Sequence, residues 1–182
     1  MRILSILFFL IFISCDNSSL PKQKGFFAPE FSYPKYENQK LCNYRFLRNS
    51  SSYVIQINEC NHEIFYKKLD AKIYINKINL INNIEELTSK FEEKVFNNSE
   101  YADQILTSEY SNHIKRLYSK VYFFVGDTPS NIQFYITDST SNYISSTVYF
   151  NSKPNYDSLL PYIHYIRSDI KKIIESFDWI NE

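Results

Sequence analysis

Three histidines, His62, His113 and His164, are the first residues to test for chemistry, because imidazole works as a general base and metal ligand near neutral pH. None has a second histidine at the helical spacing of a metal site. Cys60-Asn61-His62 offers two ligand types, but no second ligand pair stands at a zinc-like distance along the chain. Ser139, His164 and Asp138 supply the residue types of nucleophilic hydrolysis, in which a base draws the proton from a hydroxyl. Asp138-Ser139 is better explained as a turn that closes a strand. Glu85 with Glu86, and Glu92 with Glu93, pair carboxylates as acid–base catalysis would need. A helical reading instead puts them on a solvated face, the first pair in a first turn where the dipole favours negative charge. No glycine-rich phosphate loop exists, since glycine occurs only at Gly25 and Gly126. These residues therefore predict no catalytic set, no metal and no cofactor.

Cys15 carries a different chemistry. Ile3 to Ile13 is apolar except for Ser5, and as a helix it would extend about 16 Å against a hydrocarbon core of roughly 30 Å. Arg2 before it and the small Ser14 after it complete the layout of a secretory signal. Phe12-Ile13-Ser14-Cys15 resembles a bacterial lipobox, with Phe12 where Leu is usual. At a lipobox a diacylglycerol is joined to the cysteine sulfur, the chain is cut before that cysteine, and the new terminus is acylated by a chain such as palmitate. One acyl chain holds a protein marginally and two or three hold it stably, because each buried CH₂ contributes about 0.8 kcal/mol. Residues 1–14 are thus expected to be a lipoprotein signal peptide and Cys15 the lipid attachment point. A plain cleaved signal and an uncleaved helix are the alternatives.

The remainder suits one domain with a substantial core. Twenty Lys and Arg balance 20 Asp and Glu, so neither nucleic acid nor anionic lipid is favoured as an electrostatic partner. The 16 Tyr and 15 Phe accompany much Asn, Lys and Ile, a pattern typical of AT-rich coding sequence, and read as core filling rather than as a binding face. Setting Cys15 aside leaves Cys42 and Cys60. In an oxidising envelope compartment a pair flanking two strand-like stretches reads as a disulfide; two buried free thiols are the alternative.

The elements that must position these residues follow from periodicity. Asp16 to Lys40 contains Pro21, Pro29 and Pro34 with few aliphatics and reads as a tether, with Phe26, Phe27 and Phe31 able to dock. Tyr44 to Phe46 and Tyr53 to Ile57 read as strands joined across the polar turn "RNSSS". In "KIYINKI", Ile73 and Ile75 oppose Tyr74 and Asn76, as a half-buried strand requires. Asn82 or Asn83 can cap a helix from Ile84 to Phe96 on which Leu87, Phe91 and Val95 recur at spacing four. Gln104 to Phe150 reads as antiparallel hairpins, with turns at Gly126 to Pro129 and Ser139 to Asn142. Leu159, Ile163, Ile166, Ile170, Ile173, Ile174 and Phe177 trace one stripe of a final helix. Ser158 is its expected cap, because that start puts Pro161 at the third helical position, where no N–H is needed. The expected architecture is α+β, a single domain in which two helices cover an antiparallel sheet, with 15–40 as the lipidated terminus and tether and 41–182 as the folded domain.

"PKQKGFF", "IQFYITDST" and "VYFNSKPNYDSLLPYI", in that order, resemble the gliding motility lipoprotein GldD family of Bacteroidetes-type bacteria. Ser145 and Ser146 depart from the basic residue and glycine of that family. The resemblance implies a strand-borne cysteine pair at Cys42 and Cys60. It also implies a noncatalytic, lipid-anchored envelope protein needed for gliding motility and the associated type IX secretion machinery, with other envelope components of that machinery as partners. Gln133, Tyr135, Asp138, Asn155, Tyr156 and Asp157 lie in its most specific blocks and are the candidates for partner contact. Fixing the approach to the last helix is the structural reading of Pro154 to Asp157. A periplasmic hydrolase or small-ligand-binding lipoprotein is the alternative function, and it requires a cavity lined by His164 and Asp138.

Overall fold

The computed structural model describes residues 29–180. The expectations for residues 1–14, Cys15, Phe26 and Phe27 lie outside the described residues. The strands are β1 (Tyr36–Leu41), β2 (Tyr44–Asn49), β3 (Tyr53–Gln56), β4 (His62–Tyr66), β5 (Ala71–Asn79), β6 (Gln104–Asn112), β7 (Leu117–Val125), β8 (Ile132–Thr137), β9 (Asn142–Phe150) and β10 (Asp178–Trp179). The helices are α1 (Ile84–Ser99) and α2 (Tyr156–Ser176). The fold is α+β, as expected, with two antiparallel sheets. A three-stranded sheet runs β1-β2-β10, and a seven-stranded sheet runs β3-β4-β5-β9-β8-β7-β6.

Alternation fixes the large sheet. Ile73 and Ile75 are buried on its front, Tyr74 is half-buried and Asn76 exposed on its back, so slipping β5 by one residue would turn its isoleucines to water. The same front face carries Val121, Phe134, Ile136, Ile144 and Val148 and packs against Ile163, Ile166, Ile170, Ile173 and Ile174 of α2. The small sheet lies on that face too, through Tyr44 and Phe46, whose rings stack with Phe177 at 5.3 and 6.2 Å between centroids. Helix α1 takes the opposite face, where Phe91 and Val95 pack with Tyr122, Phe124 and Tyr135. The two helices thus cover opposite sides of one sheet.

Four local expectations are corrected. The strand Tyr36–Leu41 takes up the last five residues of the stretch read as tether, with Tyr36 opposite Asn49 in the small sheet. Strands β2 and β3 do not form a hairpin, because the polar run between them is a corner that carries the chain from one sheet to the other. Asn49 builds that corner: its side chain accepts from the Ser51 N–H at 3.0 Å, its carbonyl accepts from the Ser52 hydroxyl at 2.7 Å, and Arg48 donates across to the Ser52 carbonyl. Helix α1 continues past Phe96 because buried Asn98 extends its inner face; the Asn98 amide donates to the Ser130 carbonyl at 2.7 Å and accepts from the Ser130 N–H at 3.2 Å. Helix α2 starts at Tyr156, with Asn155 as its cap, so Pro161 falls inside it and forfeits the bond to the Asp157 carbonyl.

Gly126 shows why glycine survives in a chain so poor in it. Its φ is +120°, and a Cβ would come within 3.0 Å of the Asp103 nitrogen and 3.2 Å of the Tyr101 carbonyl oxygen. Only glycine adopts that backbone cheaply.

Candidate interaction surfaces

Gln133 and Tyr135 alternate with the front-facing Phe134 and Ile136 on β8, and so point to the back of the sheet. Gln133 is buried there. Tyr135 stacks on Tyr143 at 5.4 Å and meets the edge of Phe91 at 5.4 Å, under α1. Burial raises its hydroxyl pKa, with the nearby Lys120 opposing. Beside it the Tyr122 hydroxyl donates to Glu92, which ties α1 to β7. These side chains hold a helix in place.

Asp138 organises the β8–β9 turn. Its Oδ1 accepts from the N–H groups of Thr140, Ser141 and Asn142 at 2.9, 2.7 and 2.8 Å, and its Oδ2 from the Asn142 amide at 2.7 Å. Burial pushes its carboxyl up, but these bonds, led by the one from Asn142, outweigh it and hold the pKa below the usual value. Asn142 in turn accepts from Asn43 at 3.0 Å, joining this turn to the one between β1 and β2.

The Asn155, Tyr156 and Asp157 group opens α2. Asn155 Oδ1 accepts from the Ser158 N–H at 3.2 Å, and Asp127 Oδ1 accepts from the Tyr156 N–H at 2.7 Å. Two of the first free helical donors are thereby satisfied. Asn155 and Asp157 are exposed and Tyr156 half-buried. Asp127 lies in the β7–β8 loop, whereas Asp138 follows the other end of β8. The six residues therefore do not converge on one surface.

The residues of the hydrolase reading are likewise apart. His164 lines a groove of about 560 Å³ between α2 and strands β6 and β7. Asp138 borders a different, polar basin with Arg45, Arg116 and Trp179. His62 is buried, and burial lowers its pKa despite the opposing pull of the nearby Cys60 backbone. His113 stands on the tip of the β6–β7 hairpin, 3.2 Å from the Tyr118 hydroxyl. Among the described residues no three His, Cys, Asp or Glu side chains gather to hold a metal.

Cys42 and Cys60 form a disulfide with 5.4 Å between Cα atoms. Both sit in turns, Cys42 between β1 and β2 and Cys60 between β3 and β4, so the strand-borne placement is corrected and the bond links the two sheets. The model of the family described as gliding motility lipoprotein GldD matches residues 16–179. The chain belongs to that family. No curated protein matches it. GldD-family membership makes this a gliding motility lipoprotein by class, and among the described residues no helix is long and apolar enough to cross a membrane.

Among the described residues of this GldD-family domain, the most buried carboxyl side chain is one that the sequence reading did not single out. Asp169 is 1% exposed. It accepts from the Tyr36 hydroxyl at 2.7 Å and from the Asn49 amide at 2.9 Å, and Asn49 also donates to the Tyr165 hydroxyl at 2.8 Å. The Tyr66 hydroxyl lies close to the same carboxylate without full hydrogen-bond geometry. The cluster fastens α2 to β1 and β2. Its signal was a carboxylate three residues after Ile166 and four before Ile173, inside the apolar stripe.

Proposed function

We infer that this GldD-family chain is a noncatalytic, lipid-anchored component of the gliding motility apparatus and of the type IX secretion machinery that serves it. Cys15 holds it to the membrane, the stretch before β1 links that anchor to the domain, with Phe31 stacked on Tyr165 of α2 at 4.6 Å, and the two-sheet domain contacts other envelope proteins. The family match across residues 16–179 carries this reading. It is supported by Asp138 and Asn155, whose side-chain hydrogen bonds are spent on a turn and a helix cap. Asn155 and Asp157, exposed beside the α2 cap, are the sequence-derived candidates best placed for partner contact.

Deletion of the gene in a gliding host is expected to abolish surface spreading and reduce export of type IX cargo. Wild-type complementation restores both, and a Cys15→Ala version, exported but not anchored, restores neither. Normal spreading and export in the deletion strain would contradict the reading.

A further inference from the structure

Strand β6 ends the seven-stranded sheet, and no strand pairs with its outer side among the described residues. Its register with β7 runs unbroken from Gln104 opposite Val125 to Asn112 opposite Leu117, so no bulge turns it away. The nine residues QILTSEYSN hold no Lys, Arg or Pro and a single charge, Glu109. Soluble proteins ordinarily blunt a free edge with those devices, because its row of N–H and C=O groups is a template for another strand. Here residues 104–109 are all exposed, Ile105 and Leu106 to 39% and 40%.

The groove lined by His164 runs along this edge. Leu106 pairs with Phe123 and Ser108 with Val121, which places the even-numbered residues of β6 on the groove side. Val121, Phe123 and Ile170 give it an apolar floor, and Arg167 and Lys171 set two cations on its helical wall, beside His164 and Glu175. The Arg167 guanidinium lies over the Phe123 ring at 4.1 Å and has no ion pair among the described residues. Among the described residues the ion pair of Lys171 is with Glu175 of its own helix, at 3.8 Å.

We propose that β6 receives an extended segment of a partner protein as an eighth strand, with acidic side chains at the alternate positions that face α2. Backbone bonds to β6 supply affinity, and alternation supplies selectivity. Two other occupants match the charge less well. A second copy paired through β6 about a two-fold axis would set the Arg167 and Lys171 cations of both copies against each other on one face. The chain's own residues 16–28 carry Lys22 and Lys24 against Asp16. The inference rests on the reading of the domain as an interaction module and names its docking strand.

The test uses the full chain in detergent and two nine-residue peptides, one alternating Glu with Val and Thr, the other with Lys in place of Glu. The Glu peptide is expected to bind at least about tenfold more tightly than the Lys peptide, as charge-assisted hydrogen bonds require, and to slow amide exchange in β6. The Arg167→Gln, Lys171→Gln double variant, altered only at exposed positions, should lose about tenfold in Glu-peptide affinity while melting like the parent. Equal binding of both peptides, no binding of either, protection elsewhere than β6, or self-crosslinking of a Ser108→Cys chain overturns the proposal. Cells that need the gene while neither peptide binds would remove the docking strand and leave the motility reading standing.

Discussion

Serine at both Cys42 and Cys60 is expected to lower the unfolding free energy by about 3 kcal/mol, the value for opening a loop of roughly this length. The cysteines are 18 residues apart in sequence, but their place in the fold decides where the loss appears. The bond ties the β1–β2 turn to the β3–β4 turn, and so the small sheet to the end of the large one. Without it, the small sheet is held by the Tyr44, Phe46 and Phe177 stack and by the cluster around Asp169. Amide exchange should therefore rise in β1 and β2 well before β7 to β9, and the urea midpoint should fall with little change in slope. A loss under about 1 kcal/mol, well short of the loop-closure value, or exchange rising equally in both sheets, would refute this division of labour.

Asp169→Ala should cost a similar amount, about 3 kcal/mol, because it takes the acceptor from the half-buried Tyr36 hydroxyl and from one N–H of the buried Asn49 amide and leaves a gap beneath α2. Asp169→Asn keeps the shape and one acceptor and should cost less. The pH dependence separates charge from packing. Burial, the larger influence, raises the Asp169 pKa despite the hydrogen bonds from Tyr36 and Asn49. The native chain then keeps this proton over a range in which the unfolded chain has lost it. Stability of the parent accordingly falls as pH rises from the ordinary Asp value near about 3.9 toward the raised native value, and levels off above it. Asn cannot titrate, so the deficit of Asp169→Asn should narrow with rising pH in urea titrations across that window. A deficit that widens would show the native carboxyl to be shifted downward instead.

Alternation in "KIYINKI" and the isoleucine stripe of the last helix made most of the sheet and α2 legible, because burial on one face is written in residue spacing. The β2–β3 corner was not, since "RNSSS" can close a hairpin or carry a chain between layers. Bonds from Asn49 and Arg48 decide which, and spacing does not encode them. The start of α2 was misplaced for a related reason. A local rule about Pro161 favoured Ser158, but Asp127, distant in sequence, satisfies the Tyr156 N–H and lets the helix begin three residues after Lys153. Gln133 and Tyr135 were candidates because they lie in a block specific to the family; the side they face became visible only once α1 was placed over it. The β6 edge had no sequence signature, because a strand reads the same whether one or both sides are paired.

The proposed function makes Cys15 the point that ties this domain to the membrane, and the mass of the amino-terminal peptide, taken from protein extracted from host membranes, reads it directly. The expected species begins at Cys15 with a diacylglycerol on its sulfur, and Cys15→Ala moves the protein out of the membrane fraction. An unmodified Cys15, or a mature chain that still carries residues 1–14, would contradict the account.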